Sequence, residues 1–492
     1  MKYIISIDQS TQSTKAFLFD SQCEIVNQKS IAHRQYYPRT GWVEHDAEEI
    51  YGNVVKVIEE LVEPYRNDSN EFSVAITNQR ETVVVWDRKT GKPVYNAIVW
   101  ESNHGEDICN QLIKDGYNDL VRERSGLLIN PYFAGSGAKW ILDNVKGTRQ
   151  KADNGELCFG TIDSWLIFRL TKGKRHVTDC TNASRTMLFN IHTLQWDEDL
   201  LRMLAIPRSM MPEILSCDAV YGETTVEGVF RNPIKIAGVL GDSHGALVGQ
   251  MCFNKGYGKV TYGTGSSVMV NIGDEPILAP DGLVTSVGFS AFGKVYYAFE
   301  GNIHCTGGTI TWLKDQVQLI DNFEELENLA TSVNDNGGVY LVPAFSGLGA
   351  PWWNSQVKGM LFGLTLGADK AYICRAALES IAYQITDLIK VMTDLAGISL
   401  QDIRVDGGPT TNKFLMQFQA DMLQVPVVRV KVVDVSAFGA MVMNRFALKE
   451  WSSFSDASAI WKPDRIIKPE KSKTDMQSDY DGWHQAISQL LK

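Results

Sequence analysis

Residues Tyr3 to Ile7 are β-prone, Asp8 to Ser13 are polar and Ala16 to Phe19 are apolar again, so the chain opens on a predicted strand, a tight polar turn and a second strand. The same order returns near the middle: Gly258-Lys259-Val260-Thr261-Tyr262 leads through the hydroxyl-rich Gly263-Thr264-Gly265-Ser266-Ser267 into Val268-Met269-Val270-Asn271-Ile272. Two such units about half a chain apart predict two related lobes; two unrelated hairpins are the alternative that the pattern leaves open. Helix-period stretches such as Tyr372 to Leu388 alternate with apolar runs such as Gly338 to Val342, which makes the class α/β and mixed rather than purely parallel. No low-complexity stretch or long Gly/Pro/Ser linker interrupts the chain, so a boundary must be a tight hinge. Leu247 to Gly256 is the candidate, dividing the chain into 1–246 and 247–492 and placing the polar cluster Gly241-Asp242-Ser243-His244-Gly245 at the cleft.

Composition narrows the function classes. A chain of 492 residues exceeds the size at which one core keeps growing, so two domains or three are expected. Its 47 Lys and Arg against 58 Asp and Glu give a formal charge of -11, which argues against nucleic acid as a partner. A nucleotide-binding protein this acidic must neutralise phosphate locally, with backbone N–H groups, a few cations and a metal ion. The eight cysteines are scattered without a CxxC pair or zinc-like spacing to His, and read as reduced structural thiols. Asp8 arrives too early for a signal-peptide apolar region and no run of 18 apolar residues follows, so the expected location is the cytoplasm, away from membranes.

Four segments carry candidate chemistry. In Asp8-Gln9-Ser10-Thr11-Gln12-Ser13-Thr14-Lys15 a carboxylate at a strand end precedes hydroxyls and a cation, a turn that can face a triphosphate while Asp8 holds Mg²⁺ through water; a surface hairpin is the plainer reading. Val405-Asp406-Gly407-Gly408, then Asn412, places two glycines between an apolar strand and the helical stretch Lys413 to Met422, where backbone can approach a ring or phosphate closely; a simple βα turn fits equally. It lacks the GxGxxG spacing of a dinucleotide fold. Asn78-Gln79-Arg80-Glu81 sets a cation and an anion side by side after the β-prone Phe72 to Ile76, either as a grip for hydroxyl groups or as a solvated pair. Asp242, after the apolar Ile236 to Leu240, is the candidate general base, with a helix-capping Asp as the alternative; His244 beside it reads as structural.

Taken together the chain closely resembles the FGGY carbohydrate kinases over nearly its whole length, and within them the branch that phosphorylates glycerol. The resemblance rests on Ile76 to Thr82, His176 to Asp179 with Thr181 to Thr186, Val342 to Pro351, Gly363 to Thr365, Glu379 to Gln384 and Arg404 to Gly408. It implies an actin-like ATPase architecture, with two ribonuclease-H-like lobes around a cleft, and phosphoryl transfer from ATP to a terminal hydroxyl of a small polyol. Glycerol is the leading acceptor and a longer polyol or ketose the rival. By the same resemblance Thr11, Gln12, Ser13, Lys15, Thr264, Gly307, Thr311, Gly408 and Asn412 would form the nucleotide site and Asp8 would help position Mg²⁺. Arg80, Glu81, Trp100, Tyr132 and Asp242 would hold the acceptor, with Asp242 as the base. The resemblance also implies a homo-oligomer, dimer or tetramer.

Several departures from the family pattern cluster where the acceptor would sit. Ser10 replaces the usual Gly of the first phosphate turn, Glu101-Ser102-Asn103-His104-Gly105 replaces Gln-x-Arg-Arg after Trp100 with the loss of two cations, and Gly137 replaces a Lys. Ser243 stands for the usual Gln after the aspartate and Ser267 for an aromatic, which predicts a larger and more polar pocket. Two other classes of function fit less well. Retention of Asp8, Asp242 and both phosphate turns argues against a weakly active paralogue that binds nucleotide and sugar as a sensor or assembly partner. A chaperone-like ATPase acting on polypeptide has no use for Arg80-Glu81 with Asp242.

Overall fold

The computed structural model describes every residue except 68, 281, 353, 355, 432 and 433. Strand β1, Lys2–Gln9, is buried from its second residue to its last, as the continuous run Tyr3 to Ile7 requires of a strand covered on both faces. It turns back into β2, Ser13–Phe19, in antiparallel register with Asp8 opposite Lys15, so the pairing itself brings the candidate carboxylate and cation together. Strands β3, Ile25–Ala32, β4, Glu71–Asn78, β5, Val220–Thr224, and β6, Ile234–Gly241, complete a six-stranded sheet of order β5-β6-β4-β1-β2-β3. Helix α1, Ala47–Val62, covers one face through Ile50, Val54, Val57, Ile58 and Leu61. Asp46 caps it by accepting from the N–H groups of Glu48 and Glu49, a device worth about 1 kcal/mol.

The second sheet repeats this plan. It contains β7, Tyr257–Tyr262, β8, Ser266–Gly273, β9, Val284–Ala291, β10, Lys294–Ile303, β11, Asp402–Asp406, β12, Val427–Val430, and β13, Pro463–Ile467, in the order β9-β10-β8-β7-β11-β12-β13. Strand β7 pairs antiparallel with β8 and parallel with β11, as β1 does with β2 and β4. The two hydroxyl-rich turns therefore occupy equivalent places in two related sheets, and the alternative of unrelated hairpins falls away.

Helix α2, Asp242–Gly249, leaves the end of β6, and residues 250–256 lead on to β7. The expected hinge, Leu247 to Gly256, thus begins inside a helix. Helices α3, Lys370–Ala396, and α4, Lys413–Leu423, pack together beside the second sheet. Helix α5, Val435–Ala447, belongs to the second half of the sequence but packs on α2 and on β6, β4 and β1 of the first sheet. Its contact with α2 depends on glycine: a Cβ on Gly439 would lie 1.9 Å from the Gly245 carbonyl oxygen, and one on Gly249 would lie 2.1 Å from that of Val435. Among the described residues no helix is long and apolar enough to cross a membrane.

Candidate active site

Two adjoining cavities lie between the sheets, and Asp242, Ser243 and Ser267 line both. The first, about 650 Å³, is bordered by the β1–β2 turn, the start of α2, strand β7 and the Gly407-Gly408 turn. Lys15 Nζ lies 3.3 Å from Asp8 and 3.2 Å from Asp434, the residue that caps α5 by accepting from the Ala437 N–H. Ser10 donates to Asp8 at 2.6 Å, so the residue replacing the family's glycine satisfies a buried carboxylate. Burial, then the charge of Asp434, pushes the Asp8 carboxyl up to about 7. Asp8, Asp242 and Asp434 line this cavity together, and their carboxylate oxygens are hard donors of the kind Mg²⁺ takes. Gly407 has φ 99° and a Cβ there would meet the Tyr262 carbonyl oxygen at 2.0 Å, whereas a Cβ on Gly408 would meet nothing. Tight packing beneath and open space above leave that backbone free to border a ligand.

The second cavity, about 590 Å³, is walled by Thr11, Arg80, Glu81, Trp100, Tyr132, Arg185, Glu300, Asn302 and His304 among others. Its floor is a buried charge cluster. Arg80 donates through both terminal nitrogens to Glu300 at 2.8 Å; Arg185 donates through Nε to Glu81 at 2.6 Å, and its Nη1 lies 3.0 Å from Glu300. Arg80 Nε also stands 3.1 Å from Asp242, a contact of charge without an aligned hydrogen bond. Against the upward push of burial, Arg185 and Arg80 hold the Glu300 carboxyl well below its usual range, while burial prevails at Glu81, which lacks such a two-pronged partner. Two arginines and two glutamates balance, and Asp242, with a side chain 37% exposed, is the carboxylate left to face the cavity. Glu81 itself is held at φ 63°, an uncommon backbone state for a residue with a Cβ.

The expected site residues divide between these spaces. Asp8, Lys15 and Gly408 line the first; Arg80, Glu81, Trp100 and Tyr132 line the second. Thr11 faces the second cavity rather than the first, accepting from the Trp100 indole N–H at 2.9 Å. Gln12, Ser13, Thr264, Gly307, Thr311 and Asn412 border neither. The Gly263-Thr264-Gly265 turn packs on the turn at Gly307, whose N–H donates to the Gly263 carbonyl at 3.0 Å; Thr311 donates to the Gly307 carbonyl, and Asn412 caps α4 by accepting from the Leu415 N–H.

Of the departures, Ser10 lines the first cavity and Ser243 and Ser267 line both, whereas segment 101–105 and Gly137 line neither. Segment 101–105 lies behind the wall: His104 stands 3.2 Å from the buried Glu44, is hydrogen-bonded to Ser102 and stacks on Trp42. The expectation that this segment shapes the acceptor pocket is therefore corrected. Gly137, on the helix Ala134–Asn144, lies close to the strand Val83–Asp87, where a Cβ would press on Val83 at 3.0 Å.

Sequence reading did not single out Arg185, Glu300, Lys259, Asp406 or Asp434 as site residues. Arg185 stood inside a motif that carried the resemblance. That motif positions the site: Asp179 caps the short turn Cys180–Ala183, Asn182 exchanges two 3.0 Å hydrogen bonds with Asn78, and Thr181 accepts from the Gly241 N–H at 3.0 Å. All eight cysteines are free and buried.

Comparison with known proteins agrees with this geometry. Residues 3–249 match the N-terminal domain, and residues 258–448 the C-terminal domain, of the FGGY family of carbohydrate kinases. The chain is 48% identical to a glycerol kinase of Bacillus cytotoxicus, covering 99% of this chain and 98% of that one. It is 46% identical to glycerol kinase 2 of Thermotoga maritima, covering 100% and 99%. A crystal structure of Plasmodium falciparum glycerol kinase with ADP superposes with a TM-score of 0.96 at 36% identity, covering 100% and 99%. A xylulose kinase from Lactobacillus acidophilus shares the fold at 22% identity with a TM-score of 0.90. Two related lobes and two cavities that meet at Asp242, Ser243 and Ser267 thus belong to a chain that is a member of the FGGY family of carbohydrate kinases, which are ATP-dependent enzymes.

Proposed function

We propose that this kinase transfers the γ-phosphoryl group of ATP to a terminal hydroxyl of a small polyol, with glycerol as the first candidate and glycerol 3-phosphate as the product. The observation that carries the reading is the position of Asp242, which borders both cavities at the start of a helix and has its carboxylate 3.1 Å from Arg80. Asp242 takes the proton of the acceptor hydroxyl as the new O–P bond forms and the bond to the bridging oxygen of ADP breaks. Arg80, Glu81, Trp100, Tyr132, Ser243 and Ser267 hold the acceptor. Lys15 and Gly408, which line the first cavity, face the nucleotide phosphates; Thr11 at the edge of the second cavity, and Gln12, Ser13, Thr264, Gly307, Thr311 and Asn412 outside both, are proposed as further nucleotide contacts. Asp8 would hold Mg²⁺, which neutralises phosphate charge when bound.

A second reading, a four- or five-carbon polyol or ketose as acceptor, draws on Ser243 and Ser267 and on the polar end of the second cavity at Asn302 and His304. An ADP-release assay over three- to six-carbon polyols and ketoses decides between them, and no ADP release with any acceptor would refute both. The enzyme is proposed to work in the cytoplasm as a homo-oligomer, a dimer or a tetramer.

A further inference from the structure

Lys259 is a buried cation of the first cavity to which the proposed roles assign nothing. It lies on β7, its side chain on the same face as Thr261, and it is 1% exposed. Its ammonium group has three protons to donate but makes two hydrogen bonds, both long and both to hydroxyls: Thr261 Oγ1 at 3.2 Å and Ser267 Oγ at 3.3 Å. It forms no ion pair with any described carboxylate, although Asp406 is one step away, accepting from Thr261 Oγ1 at 3.2 Å. The other cations of the first cavity differ from it. Lys15 is already paired with Asp8 and Asp434, Arg429 stands 3.5 Å from Asp464, and Lys431 is exposed.

A buried charge without a counter-ion is costly and is retained where something else supplies the opposite charge. Lys259 borders the first cavity, and its partner Ser267 borders both. The ammonium therefore lies beside the passage through which a phosphoryl group must move. The surrounding carboxylates Asp8, Asp242, Asp406 and Asp434 make that passage hostile to an anion unless cations offset them.

We infer that Lys259 is a catalytic residue of this kinase, whose ammonium group hydrogen-bonds to the equatorial oxygens of the γ-phosphoryl group during its transfer from ATP to the acceptor. This rests on the reading that the first cavity holds the nucleotide phosphates. Lys259 keeps its proton throughout; the acceptor oxygen–phosphorus bond forms, the bond to the bridging oxygen breaks, and the hydroxyl proton goes to Asp242. A cation that serves the transition state should matter little to ADP and greatly to ADP carrying a planar phosphoryl mimic.

The test uses full-length Lys259→Met and Lys259→Gln, with thermal melts to show which is folded. Turnover is measured on the best acceptor found for the wild type, and affinity is measured for ADP alone and for ADP with aluminium fluoride and that acceptor. Expected is a fall in kcat of roughly 10²–10³-fold, a matching loss of affinity for the aluminium fluoride complex, and an ADP affinity within about threefold of the wild type. Lys259→Arg, which keeps the charge, should recover part of the loss. Wild-type turnover in either folded variant, or equal losses of affinity for ADP and for the mimic, would overturn the inference. If the two uncharged variants do not fold, Lys259→Arg decides: an ADP-to-mimic affinity ratio equal to that of the wild type despite a lowered kcat overturns it. A wild type from which none of the acceptors elicits ADP release refutes the kinase reading itself, whereas an active wild type beside an equally active Lys259→Met refutes the lysine alone.

Discussion

Asp242 and its neighbours Ser243 and Ser267 occupy the one place where both cavities meet, so single side chains there should separate chemistry from binding. Asp242→Asn keeps the size and the position at the start of α2 but removes the base. Turnover is expected to fall by roughly 10²–10⁴ with substrate KM little changed; steady-state kinetics with full titrations of both substrates check this, and near-normal kcat would reduce Asp242 to a helix-start residue. The serines bear on acceptor size. An aromatic ring at position 267 would bury apolar area against a three-carbon chain at about 25 cal/mol per Å², which a hydroxymethyl group cannot supply. The double change Ser243→Gln with Ser267→Phe is expected to raise kcat/KM for glycerol and lower it for four- and five-carbon acceptors. Parallel kinetics on glycerol, erythritol and a pentulose are the measurement, and a parent enzyme that already prefers glycerol while the double variant gains nothing would defeat the enlarged-pocket argument.

At the scale of elements, the position of Asp242 depends on the packing of α2 against α5. Helix α2 carries Asp242, and its packing against α5 leaves no room for a methyl group at Gly439. Gly439→Ala is expected to cost about 1–3 kcal/mol as the helices part, and to lower kcat because the base moves with α2. Chemical denaturation together with kinetics reads both effects, and a fully stable, fully active variant would show that the contact is slack. In the middle of α3, Glu379 accepts from Arg375 at 2.8 Å and Asn336 at 3.0 Å, yet burial still pushes its carboxyl up to about 7. The folded protein therefore holds a proton there that the unfolded chain gives up above the usual 4.5. The stability this proton contributes is complete below about 4.5 and is lost as pH rises toward 7, at up to about 1.4 kcal/mol per pH unit. Glu379→Gln removes that slope, so the variant should gain on the wild type between pH 4.5 and 7 whatever its absolute stability, as denaturation at several pH values would show.

For the whole molecule, the decisive feature is that the halves of the chain are not separate bodies of chemistry. Glu300 comes from β10 of the second sheet, whereas Arg80 follows β4 of the first. Glu300→Gln leaves two buried guanidinium groups short of one carboxylate, and an expected loss of about 3–5 kcal/mol should be accompanied by weaker acceptor binding; unchanged stability would mean that water enters the cluster and replaces the charge.

The sequence by itself determined what depends on local pattern. The two strand-turn-strand units, the helix over Tyr372 to Leu388 and the Gly407-Gly408 turn are set by alternation, periodicity and the backbone freedom of glycine, all of which act within a few residues. Asp242, Arg80, Glu81 and Lys15 were legible because charge stood at the ends of apolar runs, where burial would otherwise be unaffordable. Only the tertiary structure decided which charges meet. Arg80 and Glu300 are 220 residues apart, Lys15 and Asp434 are 419 apart, and no local rule pairs them, because their attraction exists only after both sheets have buried them together in low dielectric. The same reason separates the departures. Ser267 and segment 101–105 look equally unusual in sequence, but Ser267 faces the cavities and segment 101–105 packs behind the wall, and that difference is made by how the elements stack.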